Sequence, residues 1–552
     1  MTDSFDQLMA AVLQAPREDA PRLRLADWLI ARGDPRGEFI RAQIERARLG
    51  PDAAEADRLA RRERELLARH EAEWVGPLAG GLIGWRFRRG FIEEVTLDAE
   101  LLLAHAEDLF GAAPIESLRV HEAGGVSDEL AACPYLDRVS RLHVGSEDGD
   151  GEPLGDDGLA ALAGSPHLTQ LAGLSFGMEQ FDGDGLQALA GAPWVHGLRS
   201  LGLANNEIGD AALASFLAGA SLQNLEFLNL DWTGAGVDTV AVLAQSAALG
   251  ALRRLVLANN EIGGAGLAVL AGATGLHLTA LGLGCTYLES GSLQPLGGSA
   301  LLARLRELSL WANNELEPGD LSGLLASSSF PPLQALVLGN VKFGDTGAEI
   351  VAEAEVLRSL TRLEFRGSRL SGAGVQALAG SPHLSGLEAL EVVSNPEAGT
   401  AAEAMAVSPT LANLRTLTLT HDQIPDEGAQ ALAEAAHLTR LRSLSLRSNR
   451  LTVNGVASLT ASAALRQLRS LDLGYMSLTD NAVSVLSGAT GFSNLATLGL
   501  ASNKINCEGA RALAASAGLA CLAELDLRRN SIDADGAAAL RSTFGRCVRL
   551  DR

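Results

Sequence analysis

The arrangement of leucines along the chain is its dominant pattern, and it recurs about every 27 residues. Each unit opens with Leu-x-x-Leu-x-Leu, in which the last two leucines alternate with polar or small residues. That alternation is typical of a β-strand with one buried face. An Asn, an aliphatic residue, and then apolar positions at i, i+4 spacing follow, which predict a loop and a helix. The unit therefore predicts one strand and one helix per repeat.

The repeat extends over most of the chain. The leucines that open successive units are Leu198, Leu225, Leu252, Leu278, Leu305, Leu333, Leu360, Leu387, Leu414, Leu441, Leu468, Leu495 and Leu522. One strand with one helix cannot bury its leucines alone, so neighbouring units must stack against each other. The sequence therefore predicts an α/β solenoid.

This motif resembles the leucine-rich repeat family, and in particular the long, helix-bearing subclass typified by cytosolic ribonuclease inhibitor. The resemblance covers roughly Leu171 to Leu540. It implies a horseshoe in which parallel strands line the concave face and helices line the convex face.

The Asn of the motif also carries information. The residues that hold its position are Asn206, Asn260, Asn313, Asn395, Asn449, Asn503 and Asn530. The residues that interrupt the series are Thr233, Thr286, Val341, Ser368, Asp422 and Met476. The resemblance implies that the buried amides bond the loop backbone between coils, where buried polar groups need partners. Ribonuclease inhibitors favour Cys where this chain has Thr, Val or Met, so ribonuclease binding is not implied.

The chain divides into four predicted parts. Residues 1–49 form an all-α module of two short helices, and residues 50–84 form a charged helix and linker. Residues 85–170 form irregular capping repeats with an acidic insertion at 145–158, and residues 171–552 form the regular repeats and a C-terminal cap. The sequence motif ADWL-x-x-RGDPRGEFI-x-x-Q in the first part resembles the small repeat-companion domain of bacterial repeat proteins. That family brings no catalytic activity with it.

The charge distribution restricts the partners. The net charge is −23, and residues 1–90 contribute none of it, with 16 arginines against 15 acidic residues. Acidic repeats would repel nucleic acid and steer a basic protein toward them; alternatively, this charge serves only solubility. Five scattered cysteines and the absence of a basic leader favour the cytoplasm. Arginine greatly outnumbers lysine, which together with abundant Ala, Gly and Leu favours a bacterial source.

Chemistry-bearing motifs are scarce in the chain. Asp148, Asp150 and Glu152 in the insertion raise the possibility of calcium, but the spacing of an EF-hand is absent. No nucleophile–base signature and no phosphate-binding loop occurs. Apolar runs are too often interrupted to span a membrane. We therefore expect no catalytic residue, no cofactor, no metal and no membrane partner.

Binding residues are expected between the leucines of the strands, because these side chains point to solvent. Much of this face is Gly, Ala, Ser and Thr, so exposed aromatic and charged residues are the candidates, as in other interfaces. The candidates are Phe227, Asn229, Asp231, Trp232, Arg254, Glu307, Trp311, Arg362, Glu364, Arg366, His421, Arg447, Asp472 and Tyr475. Trp232 and Trp311 are expected to mark the main contact region, unless these aromatics pack locally over loop ends.

The sequence thus predicts a non-catalytic scaffold that binds a protein on the concave face, with an unknown oligomeric state. One alternative is a regulator of an enzyme, acting by occlusion or by positioning catalytic groups as a ribonuclease inhibitor or GTPase activator does. Others are a secreted effector, which the small 1–49 module supports poorly, and a structural spacer, which would tolerate any substitution on the concave face.

Overall fold

The computed structural model describes residues 4–50, 54–146, 151–489, 491–519 and 522–551. It divides into two compact units, Met1–Leu278 and Thr279–Arg552, and each is described by itself. Residues 147–150, with two of the acidic residues considered for calcium, lie outside the described residues.

The first unit begins with four helices. They are α1 (Phe5–Gln14), α2 (Asp19–Ile30), α3 (Pro35–Arg48) and α4 (Ala54–Val75). The prediction of two helices in residues 1–49 is wrong, because α1 forms as well. Ser4 and Gln7 make a capping box that starts α1, and Leu8 and Val12 bury its apolar face. Asp34 caps α3, whose first residue is proline, as is common at that position.

These helices pack on a hairpin of β1 (Gly84–Arg88) and β2 (Phe91–Asp98), which pair antiparallel. The Arg22 Nη2 lies 2.7 Å from Glu93 Oε1, and both side chains are almost fully buried. Gly90, between the strands, has a φ of +88°, and a Cβ there would lie 2.1 Å from Ile40 Cγ1. Phe91 belongs to the core formed by α1, α2 and α3. The helices therefore cover the start of the sheet.

The rest of the first unit alternates strands and helices. The strands are β3 (Ser117–His121), β4 (Arg141–Val144), β5 (Gly173–Phe176), β6 (Ser200–Gly202), β7 (Phe227–Asn229) and β8 (Arg254–Val256). The helices are α5 (Ala99–Ala112), α6 (Ser127–Ala131), α7 (Gly155–Ala163), α8 (Gly183–Ala190), α9 (Asp210–Gly219), α10 (Val237–Gln245) and α11 (Gly263–Ala271). From β2 onward neighbouring strands are parallel, and leucine stands opposite leucine, as Leu228 does Leu255. The predicted insertion ends early, because residues 155–158 already belong to α7.

The second compact unit also alternates strands and helices along its whole length. Its strands are β9 (Ala280–Gly282), β10 (Glu307–Ser309), β11 (Ala335–Gly339), β12 (Arg362–Arg366), β13 (Ala389–Val393), β14 (Thr416–Thr420), β15 (Ser443–Ser445), β16 (Ser470–Asp472), β17 (Thr497–Gly499), β18 (Glu524–Asp526) and β19 (Val548–Arg549). Its helices are α12 (Gln294–Gly297), α13 (Pro318–Leu325), α14 (Gly344–Glu353), α15 (Gly372–Gly380), α16 (Ala401–Ala406), α17 (Asp426–Glu434), α18 (Val453–Ala461), α19 (Asp480–Gly488), α20 (Cys507–Ala514) and α21 (Ala534–Phe544). β19 pairs parallel with β18, so the last partial repeat adds a strand to the sheet.

The core of each unit lies between its strands and helices. In one repeat, for example, the buried leucines are Leu444 in β15, Leu446 directly after β15, and Leu459 in α18. Each is no more than 1% exposed. A Cβ on Gly455 would lie 2.5 Å from Asp426 Oδ1, so glycine at the start of α18 permits close approach to the start of α17. Each unit is therefore an α/β solenoid built from one strand and one helix per repeat.

Candidate functional site

The solvent-facing side of the strands carries all fourteen candidate residues, either within a strand or in the loop directly after it. The loop residue after the strand has a left-handed backbone in repeat after repeat. The non-glycine residues at this position include Asn205, Trp232, Asn259, Cys285, Ala312, Asn340, Ser394, His421, Ser448, Tyr475, Ser502 and Arg529, with φ between 49° and 64°. Since this conformation favours glycine and asparagine, a large side chain there is held at a conformational cost.

The asparagine ladder behind this loop is confirmed. The Asn449 Oδ1 accepts from the backbone N–H groups of Asp422 at 3.1 Å and Ile424 at 3.0 Å, one repeat earlier. Its Nδ2 donates to the carbonyls of Leu419 at 2.5 Å and Leu446 at 2.7 Å. Corresponding bonds are made by Asn206, Asn260, Asn313, Asn395, Asn503 and Asn530. The ladder therefore satisfies loop backbone between coils.

Asp422 occupies the ladder position in a repeat that lacks the asparagine, and its side chain is fully buried. Its Oδ1 accepts from Asn395 N–H at 2.8 Å, while its Oδ2 has no hydrogen-bond partner in the described part of the chain. Burial raises the pKa of this carboxyl to about 8. A protonated Asp422 resembles asparagine, because its O–H can donate where the amide would.

Trp232 stands out in the first unit, with 58% of its surface exposed at a φ of 54°. The neighbouring Asp231 accepts a hydrogen bond from Asn259 Nδ2 at 2.7 Å, and its own N–H donates to Asn229 Oδ1 at 3.0 Å. Arg254 lies over the Phe227 ring, 6.0 Å from its centroid. The structure thus brings together the candidates from β7, its loop and β8.

The same edge of the first unit is acidic on both sides of Trp232. Glu207 follows the ladder residue Asn206, Glu261 follows Asn260, and both side chains are exposed. Neither forms an ion pair with the residues that the structure describes in this unit. We call Glu207, Asp231, Trp232 and Glu261 the acidic rim.

Trp311 lies in the second unit, so a joint contact region with Trp232 stays a prediction. Its indole lies against Gly284 of the preceding repeat, where a Cβ would come within 2.0 Å of Nε1. A Cβ on Gly339, in the following repeat, would lie 3.2 Å from Trp311 Cβ. Trp311 therefore packs locally and is only partly exposed. Glu307 lies four residues earlier, in β10, and is half-buried.

The candidates Arg362, Glu364 and Arg366 lie together on β12. Arg366 Nε donates to Glu364 Oε1 at 3.0 Å. In the register of the sheet Glu364 stands opposite Glu391 of β13, which the sequence analysis overlooked. Burial, and then the charge of Glu364, raise the pKa of Glu391. Arg366 and Glu364 thus neutralise each other within the cluster.

The last four candidates, His421, Arg447, Asp472 and Tyr475, lie around the Tyr475 ring. The Arg447 guanidinium lies 4.2 Å from the centre of the Tyr475 ring, and its Nη1 lies 3.7 Å from Asp472 Oδ2. The His421 N–H donates to the Arg447 carbonyl at 3.0 Å. Arg529, two repeats after Tyr475, donates from Nη1 to its hydroxyl at 3.0 Å. Arg529 is not among the predicted residues, although its alignment with Tyr475 at the loop position is a signal in the sequence.

The described residues offer little other chemistry. No group of three His, Cys, Asp or Glu among them is placed to hold a metal ion. Cys133, Cys285 and Cys507 are free thiols. A groove of about 370 Å³ lies between α12 and α13, but Asp320 in its wall already accepts a hydrogen bond from Gly291 N–H at 2.7 Å. None of the described helices combines the length and apolarity needed to cross a membrane.

A second ladder, of aspartates at helix starts, was not anticipated. Asp426 Oδ1 accepts from the N–H groups of Thr452 at 2.7 Å and Gly455 at 3.0 Å, which begin the helix of the next repeat. The same offsets of 26 and 29 residues recur for Asp156, Asp210, Asp345 and Asp480. These aspartates are separated by whole multiples of the repeat length, and this spacing could have identified them from the sequence. These aspartates cap neighbouring helices, so their role is structural.

The strand–loop–helix unit, its leucine core and its asparagine ladder define a leucine-rich-repeat solenoid. In agreement, the family model described as "Leucine Rich repeat" matches residues 252–271 in the first unit and 518–540 in the second. The chain therefore carries leucine-rich repeats. The ribonuclease-inhibitor subclass and the N-terminal companion domain stay predictions.

Solved structures of two repeat proteins are similar to the chain. One is an internalin, InlF, from Listeria monocytogenes, with 18% identity over 75% of this chain and 87% of that chain, at a TM-score of 0.31. The other is TLR13 in complex with ssRNA13, with 18% identity over 70% of this chain and 63% of that chain, at a TM-score of 0.36. Both TM-scores lie below 0.5, so the fold rests on the repeated unit itself. No curated protein sequence matches the chain.

Proposed function

We propose that the protein is a non-catalytic interaction module that binds a protein partner on the solvent-facing side of its strands. Leucine-rich repeats generally mediate protein–protein interaction, and a rigid sheet presents side chains at low ordering cost. The observation that carries the proposal is Trp232, which stays 58% exposed at a strained backbone position. Aromatic side chains of this kind dominate interface energetics.

The partner surface is proposed to be basic. Asp231, Glu207 and Glu261 surround the Trp232 position, and a basic surface would pair with them and associate faster at low salt. This charge pattern also supports regulation of a basic enzyme by occlusion. Cytoplasmic location and a bacterial source belong to the same proposal.

The test is affinity capture with the full chain and with the Trp232→Ala variant, using Val269→Ala as the matched control. Val269 is an exposed apolar residue of α11 on the helix side of the same unit. A partner retained by wild type and Val269→Ala but lost by Trp232→Ala would support the proposal. Equal retention by all three proteins would place binding elsewhere, and equal thermal unfolding temperatures would show that each variant is folded.

A further inference from the structure

The last repeats of the second unit carry a group of basic residues, opposite in charge to the acidic rim of the first unit. Arg450 follows the ladder residue Asn449, and Lys504 follows Asn503 two repeats later. Arg447 precedes the first of these positions, and Arg529 lies after β18. We call Arg447, Arg450, Lys504 and Arg529, together with Tyr475, the basic rim. It occupies the same edge of the strands as the acidic rim does in the first unit.

Positive charge exceeds negative charge at this rim. Arg450 and Lys504 are exposed and make no ion pair with any described residue of the chain. The acidic neighbours are already engaged. Asp472 lies near Arg447, Asp526 pairs with Arg528 at 2.7 Å, and Asp551 accepts from the backbone N–H of Arg529 at 2.6 Å. In a chain of net charge −23, two unpaired cations that lie two repeats apart are an exception to the prevailing charge.

Tyr475 adds an aromatic surface at the centre of this rim. Its backbone has a φ of 60°, and its side chain is 40% exposed. Arg447 lies over one part of the ring, and Arg529 donates to the hydroxyl. These contacts hold the ring and both guanidinium groups in defined positions, which lowers the ordering cost of binding.

We propose that the basic rim binds an extended acidic segment of a partner protein, separately from the acidic rim around Trp232. Coils of a parallel sheet lie about 4.8 Å apart, so Arg450 and Lys504, two repeats apart, are separated by about 10 Å along the rim. A peptide in the extended polyproline II conformation advances about 3.1 Å per residue with three residues per turn, so carboxylates at every third residue lie on one face about 9 Å apart and match this spacing. Guanidinium groups favour carboxylates because of their planar geometry.

A nucleic acid fits the rim less well. Asp472, Asp526 and Asp551 stand among the cations, and a continuous phosphate backbone would approach them as well. The net charge of −23 also repels a polyanion over long range. A short segment with a few spaced carboxylates carries less negative charge, so both penalties are smaller for it.

The test uses fluorescence anisotropy with a labelled peptide repeating Glu-Gly-Ser, a Gln-Gly-Ser peptide and an oligouridylate. We expect the full-length protein to bind the glutamate peptide, with weaker binding at higher salt, and to bind the other two probes less. Replacing Arg450 and Lys504 by Glu should weaken peptide binding about tenfold or more. The control Arg541→Glu reverses an exposed charge on α21 and should leave binding unchanged.

Several outcomes would overturn the proposal. One is equal binding of the glutamate and glutamine peptides. The others are a loss of peptide binding in Arg541→Glu as large as in the double variant, and tighter binding of the oligouridylate than of the glutamate peptide. If the double variant unfolds at a lower temperature than wild type, the single Lys504→Gln variant replaces it and should still weaken binding. The Trp232→Ala variant should bind the peptide as wild type does, so failure at one rim is distinguishable from failure at the other.

Discussion

At the loop position after each strand, the same left-handed backbone is imposed on very different residues. Asn205 and Asn259 suit this conformation, whereas Trp232 between them does not. Trp232 also buries little surface in return, since 58% of it is exposed. Trp232 therefore contributes little burial to the fold, as the proposed binding role requires.

Replacing Trp232 by Asn should raise the free energy of unfolding by up to about 1 kcal/mol, because the left-handed strain is relieved. Urea denaturation of the full chain measures this. The matched variant Asn205→Ala changes the same loop position one repeat earlier and should lower stability. A clear loss of stability in Trp232→Asn would show that the indole supports the fold.

Asp422 is a second residue whose role follows from its surroundings. Between its ordinary pKa of 3.8 and its folded pKa of about 8, the folded state holds a proton that the unfolded state has released. The contribution to stability is complete below pH about 4 and decreases by up to about 1.4 kcal/mol per pH unit as the pH rises toward 8.

The variant Asp422→Asn should be more stable than wild type at neutral pH and should lose this dependence on pH. Its amide can accept from Asn395 N–H as Asp422 does, and it adds a donor for nearby carbonyls, as Asn449 does. Chemical denaturation between pH 4 and 9 tests the prediction. The exposed Asp238→Asn is the control, and an unchanged slope in Asp422→Asn would contradict the argument.

At the scale of elements, each repeat helix depends on the preceding coil. Asp426 caps α18 across the repeat boundary, so the ladder couples neighbours through charge-assisted bonds to helix starts. Asp426→Ala should lower the free energy of unfolding by about 1–2 kcal/mol. The adjacent, exposed Glu427→Ala should change it little, and thermal and urea unfolding would compare the two. An equal loss of stability in the two variants would contradict a specific capping role for Asp426.

The N-terminal helices show how an element can gain its place from tertiary contacts. Burial lowers the pKa of Arg22 to about 10, while Glu93 stands 2.7 Å away. The Arg22 guanidinium also donates to the carbonyls of Pro16 and Arg89. A buried pair of this kind fixes the helices on the β1–β2 hairpin, because separating the partners would leave a charge unpaired.

At the scale of the whole molecule, each repeat packs on its neighbours, as in other solenoids. Stability is then local, and damage to one end should not spread through every repeat. Leu525→Ala, in the buried face of β18, should increase hydrogen exchange in β17 and β18. Amides of β5 and β6 should exchange as in wild type, as measured by mass spectrometry. Uniformly faster exchange would indicate global cooperativity.

The sequence by itself determined the repeat, the strand positions and the ladder, because leucine and asparagine recur at fixed spacing and each has one physical role. It also placed the candidates on the solvent-facing side, since side chains alternate along a strand. The helix α1 was missed, because its capping box lies at the very start of the chain, outside the repeats.

Only the tertiary structure decided which candidates are available. Trp232 stays exposed at the left-handed loop position, whereas Trp311, one residue before that position in its own repeat, packs locally because Gly284 leaves room for its indole. Likewise, Arg529 reaches Tyr475 across two repeats, and Asp422 is unlike other aspartates because its environment excludes water. Spacing along a chain defines the repeat, whereas contacts between repeats define exposure, pairing and charge state.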